Sequence, residues 1–227
     1  MAETIQNAII LNISGSPTSI NDAFVDFYTR TGRMRLLAKG INKQGSKNRA
    51  NLQIGSISQI EYFSARKVNS IGRLKRSNLI ENIDYSNEQN LKFVAKILNI
   101  FEQIKNKSVR LFDAYWSAIQ KLHETSTDRL ILFILANALS HFGLMPISDR
   151  CVVCQKYTNL CDFSWYLGGF LCAEHKKNIR WNKELKTIYF MFYDIDKFLA
   201  MANDNIVAFL KHEILEYYRN NGIYFEI

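Results

Sequence analysis

The chain has 227 residues, 48% apolar and 22% charged, which is enough to bury a core in one or two domains and fits neither a disordered segment nor a coiled coil. Two prolines exclude a Pro-rich linker, and no apolar run reaches the roughly 18 residues of a membrane span; with no basic leader before a long apolar stretch, a cytosolic protein without membrane contact is expected. The net charge of +8 lies wholly in residues 1–80, where twelve Lys and Arg stand against four Asp and Glu, while the remainder holds seventeen of each.

Residues 1–82 read as a β module. Segments 5–13, 23–29, 33–38, 54–63 and 68–83 are rich in Val, Ile, Phe and Tyr and are separated by turn residues such as Ser14-Gly15-Ser16-Pro17 and Gln44-Gly45-Ser46. Five short strands in about 80 residues suit a small barrel. In the third, Arg33, Arg35 and Leu37 share one side and Met34, Leu36 and Ala38 the other, so two guanidiniums point outward over an apolar underside.

Near residue 87 the apolar period changes from two to that of a helix. Leu91, Val94, Ala95, Leu98 and Phe101 follow the capping residues Ser86 and Asn87, and Leu111, Tyr115, Ala118, Ile119 and Leu122 form a second stripe. Thr125, three residues before Asp128, marks a third helix running through Phe142, ended by Gly143 and Pro146 and apolar on more than one face, hence central. Residues 183–201 and 205–219 read as two further helices, with Asp194 and Asp196 as solvated helix positions. The expected fold class is therefore α+β: a five-stranded barrel over residues 1–82, then a helical domain over 83–227 with a small Cys-containing insert at about 148–178.

Arg30, Arg33, Arg35, Lys39, Lys43, Lys47 and Arg49 fall within twenty residues that contain no acid. Such a run in an ordered β module points to a polyanion partner, the alternative being a solvated basic face. Arg73, Lys75 and Arg76 form a second group that either extends the track or keeps an edge strand soluble. Tyr28, Tyr62 and Phe63 are candidates for base stacking, or for the core.

The four cysteines carry the sharpest local signal. Cys151-Val152-Val153-Cys154 is followed, seventeen residues on, by Cys172-Ala173-Glu174-His175. Two residues between ligands let one turn aim both donors at one ion, and four such donors suit a structural zinc with no open coordination position. Gly168 and Gly169 permit the return of the chain. Reduced, buried cysteines are the competing reading, and Cys161 competes with His175 for the fourth position. Gly40 and Gly45 have P-loop spacing, but Ser46-Lys47 reverses the order that loop requires, so nucleotide binding is rejected there. His123, His141 and His212 are isolated, and no catalytic constellation appears.

Several of these segments together resemble one family. Gly32-Arg33-Met34-Arg35-Leu36-Leu37-Ala38-Lys39-Gly40 with Ser46, the Leu52-Gln53 pair, Phe142-Gly143-Leu144-Met145-Pro146 before Cys151 and Cys154, and Phe163-Ser164 before Gly168-Gly169-Phe170-Leu171-Cys172 are similar to stretches of the bacterial recombination mediator RecO. Two departures stand out: His175 replaces a cysteine found in many zinc-bearing members, and residues 21–23 stand where the family often has a Gly-Glu pair. The resemblance implies an OB-fold barrel followed by a helical domain with a zinc knuckle, in a bacterial, nucleoid-associated protein of the cytoplasm. It implies binding of single- and double-stranded DNA, strand annealing, and cooperation with RecR. It also implies contact with the acidic tail of the single-stranded-DNA-binding protein, and indirect loading of RecA. The cations assigned to DNA are Arg33, Arg35, Lys39, Lys43, Lys47 and Arg49; a generic RNA-binding module and a zinc-stabilised protein adaptor are the rivals.

Overall fold

A computed structural model describes every residue except Met1, Ala2, Arg66, Val68 and Asn69. The chain forms two compact units, Met1–Gln120 and Lys121–Ile227. The described residues contain no helix long and apolar enough to cross a membrane.

The first unit begins with strands β1 (Glu3–Ser16), β2 (Ser19–Thr29), β3 (Gly32–Ala38), β4 (Ile57–Phe63) and β5 (Gly72–Glu81). They close into a barrel in the order β1-β2-β3-β5-β4, with β3 and β5 parallel and all other pairs antiparallel. This is the OB-type arrangement. Alternation fills it: Ala23, Val25 and Phe27 from β2, Leu36 and Ala38 from β3, Ile60 from β4 and Leu74 from β5 point inward, and Ile41 and Leu52 from the β3–β4 connection plug the core. The expected start of the last strand at Val68 lies outside the described residues; β5 itself begins at Gly72.

Helices α1 (Glu88–Gln103) and α2 (Val109–Gln120) complete this unit. Asn87 caps α1 by accepting from the Gln89 N–H. The buried face of α1 carries Phe93, Val94, Ile97, Ile100 and Phe101, while Leu91 and Ala95 of the expected stripe are exposed. Two apolar lines compete around this helix, and the one with the larger side chains is buried. Tyr115 of α2 donates its hydroxyl to the Gly55 carbonyl at 2.6 Å, and Tyr28 donates to Asn106 O at 3.2 Å. These contacts extend the unit beyond the end of the last barrel strand, so the compact boundary falls at 120/121 where composition points to 82/83.

The second unit is built on α3 (Thr127–Ala138), whose residues Leu130 to Ala138 are all buried. Its cap is Ser126, one residue after the expected Thr125. The helix ends at Ala138; residues Leu139–Phe142 tighten into a 3-10 turn, closed by Gly143 at φ 70°. Around α3 stand α4 (Asn182–Tyr193), α5 (Ile195–Met201) and α6 (Asp204–Asn220). Asn137 donates to Met191 O of α4 at 3.0 Å, and Tyr218 of α6 donates to Leu135 O at 2.7 Å. The expected single helix over 183–201 is two: Asp194 ends α4 and caps α5 by accepting from the Lys197 N–H at 3.0 Å. A two-stranded hairpin, β6 (Leu160–Ser164) and β7 (Gly169–Cys172), precedes α4.

Candidate nucleic-acid interface and metal knuckle

The β3–β4 connection runs over residues 39–56 and is tied down along its length. Gly40 N–H donates to Asp22 Oδ1 at 2.7 Å, and Asn42 N–H donates to the Asn21 carbonyl at 3.0 Å. Asn48 donates to Lys75 O and accepts from the Ser77 N–H of β5, and Asn51 donates to Ser77 O at 2.7 Å. A loop fixed by Ile41 and Leu52 in the core, and by two asparagines on β5, presents Lys39, Lys43, Lys47 and Arg49 to solvent. None of the four forms an ion pair among the described residues.

Arg33 and Arg35 also point outward, as the alternation of β3 requires, but both are engaged. Arg35 meets Asp26 on β2 through Nε to Oδ1 at 2.5 Å and Nη2 to Oδ2 at 2.7 Å, and that guanidinium holds the Asp26 carboxyl below its usual range. Arg33 donates to the Phe101 carbonyl near the end of α1. Arg30 pairs with Asp113 at 2.5 Å. In the second group, Lys75 is shared by Glu3 and Glu61, whereas Arg73 and Arg76 are exposed.

The stacking candidates divide. Tyr28 is fully buried against Phe101 at 4.9 Å between ring centroids, and burial pushes its hydroxyl up to about 12. It is core, because the end of β2 packs its ring on Phe101 of α1 and its hydroxyl on the connection that follows that helix. Tyr62 is also buried, its hydroxyl accepting from Gln6 Nε2 at 3.1 Å. Phe63 is half-buried beneath the Lys75 ammonium, 5.9 Å from the ring centroid.

In the second unit the donor atoms of Cys151, Cys154, Cys172 and His175 all lie within 4.8 Å of one another. Cys154 Sγ is 3.6 Å from Cys172 Sγ, and His175 Nδ1 is 3.4 Å from Cys172 Sγ and 3.8 Å from Cys151 Sγ. A tetrahedral ion about 2.3 Å from sulfur and 2.0–2.1 Å from nitrogen separates its donors by roughly these distances, so the residues present fit a metal ion. Cys161 stands outside this group, so the fourth donor lying with the three cysteines is His175.

Backbone geometry shapes the cage. Gln155 adopts φ 62° so that its N–H can return to the Cys151 carbonyl at 2.9 Å, and the His175 N–H returns to Cys172 O at 3.0 Å. Burial alone would raise the Cys151 thiol; the N–H groups of Cys154, Cys172 and Val153 outweigh it and hold the thiol down at about 6. Gly169, at φ 153°, lies so close to Ile147 that a Cβ there would be 2.1 Å from the Ile147 carbonyl oxygen.

Two residues of this region escape sequence reasoning. Asp162 is buried beside the knuckle and accepts from the N–H groups of Lys177 and Asn178 at 2.8 and 2.9 Å, pinning the chain that leaves His175. Arg180 reaches inward to Glu184, to Glu213 at 2.7 Å and to the Phe163 carbonyl at 3.1 Å. Charge inside a lysine-rich stretch reads as solvated, and only the folded hairpin supplies their partners.

Comparison with known proteins adds a separate finding. Residues 1–83 match the family model described as Recombination protein O N terminal, and residues 91–191 match Recombination protein O C terminal. The chain is 26% identical over 222 residues to the DNA repair protein RecO of Mesoplasma florum, covering 90% of this chain and 82% of that protein. It is 26% identical over 219 residues to the DNA repair protein RecO of a Thermoanaerobacter species, covering 91% and 86% respectively. The RecO of Listeria monocytogenes serotype 4b is 24% identical over 160 residues, 67% of this chain and 61% of that protein.

Proposed function

The chain belongs to the recombination protein O (RecO) family of DNA repair proteins, and from that premise we propose that it is a non-enzymatic recombination mediator that binds single- and double-stranded DNA on its barrel and anneals complementary strands. The observation that carries this reading is the β3–β4 loop. Lys39, Lys43, Lys47 and Arg49 are exposed, have no ion-pair partner among the described residues, and ride on a loop anchored at both ends. Cations held this way neutralise phosphates and release condensed counterions without first breaking internal pairs. Arg33 and Arg35 flank the loop on β3, their charge partly committed to Phe101 O and Asp26. Annealing makes and breaks no covalent bond; it needs two like-charged strands brought together on a neutralising surface.

In this reading Cys151, Cys154, Cys172 and His175 hold one zinc ion. Three thiolates and an imidazole are its customary donors, and four protein ligands leave no position for a reacting water, so the ion braces the hairpin. The partners proposed are RecR and the acidic tail of the single-stranded-DNA-binding protein, with RecA loaded indirectly, in a bacterial nucleoid setting.

Annealing of complementary oligonucleotides coated with single-stranded-DNA-binding protein tests this. Replacing Lys39, Lys43, Lys47 and Arg49 by Gln is expected to slow annealing. It should also reduce the magnitude of the log–log salt slope for single-stranded DNA by about 0.7 per cation, close to 3 in all. An unchanged slope would remove the loop from the interface. Tighter binding to structured RNA would recast the barrel as an RNA module, and failure to bind any nucleic acid at 50 mM salt would make the chain a protein adaptor.

A further inference from the structure

We propose that the second unit carries a nucleic-acid contact of its own, formed by Lys176, Lys177, Lys183 and Lys186 together with the exposed ring of Trp181, on the segment joining the metal knuckle to α4 and on the first turns of that helix. The inference rests on the reading of the chain as a DNA binder and adds a second place where a strand is held. The balanced charge of residues 81–227 conceals this patch, because the acids near it are already committed. Glu174 pairs with Lys156 at 2.7 Å, Glu184 is bound to Arg180, and buried Asp162 accepts backbone N–H groups of the segment itself. The four lysines are exposed and form no ion pair among the described residues.

Between them the apolar side chains face the wrong way for a core. Trp181 is 77% exposed and Ile179 82% exposed, on either side of Arg180, which is turned inward onto Glu213, Glu184 and the Phe163 carbonyl. Arg180 and Asp162 thus fix the segment with its aromatic ring in water. Ile179, Trp181 and Tyr189, three large apolar side chains exposed on one short stretch beside four lysines unpaired among the described residues, exceed the singly scattered exposure that a surface ordinarily carries. Along α4, the patch continues to Tyr189, 41% exposed, on a groove of about 490 Å³ that Lys186, Asn182 and Asp149 also line, the Asp149 carboxylate being paired with Arg150 at 3.8 Å.

Single-stranded nucleic acid is the occupant that fits. Its phosphates match unpaired ammonium groups, and its bases stack on an open indole face whatever the sequence. An acidic peptide would satisfy the lysines, but an indole raised into solvent offers its side chains no enclosing pocket. Two such contacts, one in each unit, give an annealing protein a separate hold for each strand.

The test uses the full chain and fluorescein-labelled oligo(dT), with anisotropy read between 50 and 200 mM salt. The quadruple variant Lys176→Gln, Lys177→Gln, Lys183→Gln and Lys186→Gln is expected to reduce the salt slope by close to 3 and to slow annealing, with circular dichroism and metal content unchanged. Trp181→Ala is expected to lower affinity about fivefold or more at an unchanged slope, with Trp181→Phe restoring most of it. Wild-type slope, affinity and annealing in both variants would overturn the proposal even if the barrel-loop variant loses binding. Retained oligo(dT) binding with lost binding of an oligo-glutamate peptide would overturn it in favour of a protein partner. Absence of oligo(dT) binding by the unaltered chain would overturn both this proposal and the reading beneath it.

Discussion

Gly169 stands where the hairpin backbone passes closest to Ile147. A methyl group there would have to occupy space 2.1 Å from a carbonyl oxygen, at a φ that L side chains rarely adopt. Gly169→Ala is therefore expected to destabilise the second unit by about 3 kcal/mol or more, read by chemical denaturation. Cys151 occupies the fully buried corner of the cage. Cys151→Ser should abolish stoichiometric zinc and lower the melting temperature, and a variant with full metal content and unchanged melting would remove Cys151 from the ligand set. Asp26 links pH to stability. Because Arg35 depresses its carboxyl in the folded state, the pair contributes above the unfolded value, about 3.9, and the contribution fades as pH falls through the depressed folded value. With Arg35 half exposed, the difference between wild type and Asp26→Asn should be under about 1 kcal/mol near neutrality and shrink toward pH 2.

At the scale of elements, the β3–β4 loop shows how a basic run becomes a surface. Its three lysines recur every fourth residue, a helical spacing in a segment that forms no α-helix, and Asn48 and Asn51, bonded to β5, help set their positions. Asn48→Ala with Asn51→Ala removes no charge. It should weaken single-stranded DNA binding by the cost of ordering a loosened loop, about 1 kcal/mol per lost hydrogen bond, while leaving the salt slope as it was. Asp194 owes its role to the fold in the same way. In sequence it lies on a polar face of one long helix; in the fold it is the hinge between two, and its carboxyl is held low by the Lys197 N–H it caps. The capping geometry depends on the turn that α4 makes to lay α5 against Phe133, where Phe198 meets it at 5.8 Å.

At the scale of the molecule, the family models divide near residues 83 to 91, whereas the compact division falls after Gln120. The first unit is thus a barrel with two helices of its own, and the metal cage belongs wholly to the second. Chelation is accordingly expected to raise amide exchange in β6, β7 and α4 while leaving the protected amides of β1 to β5 unchanged. Equal loss of protection in both units would mean that the ion supports the whole chain. The charge follows the same division: the basic loop sits on the first unit, and the lysines around Trp181 sit on the second, masked in any count by acids that the fold has already paired.

The amino-acid sequence by itself determined the strand module, the helical module, the pairing of a Cys-x-x-Cys with a Cys-x-x-His knuckle, and the outward direction of Arg33 and Arg35. These follow from alternation, helical period and the reach of a two-residue spacing, all of which act between near neighbours. Only the tertiary structure decided that His175 and not Cys161 joins the cage, that Tyr28 and Tyr62 are core, that Arg35 is spent on Asp26, and that Arg180 turns inward and leaves Trp181 in water. Each of those outcomes depends on a partner dozens of residues away or across a hairpin, and burial, which selects among chemically equal side chains, exists only once the chain has closed on itself.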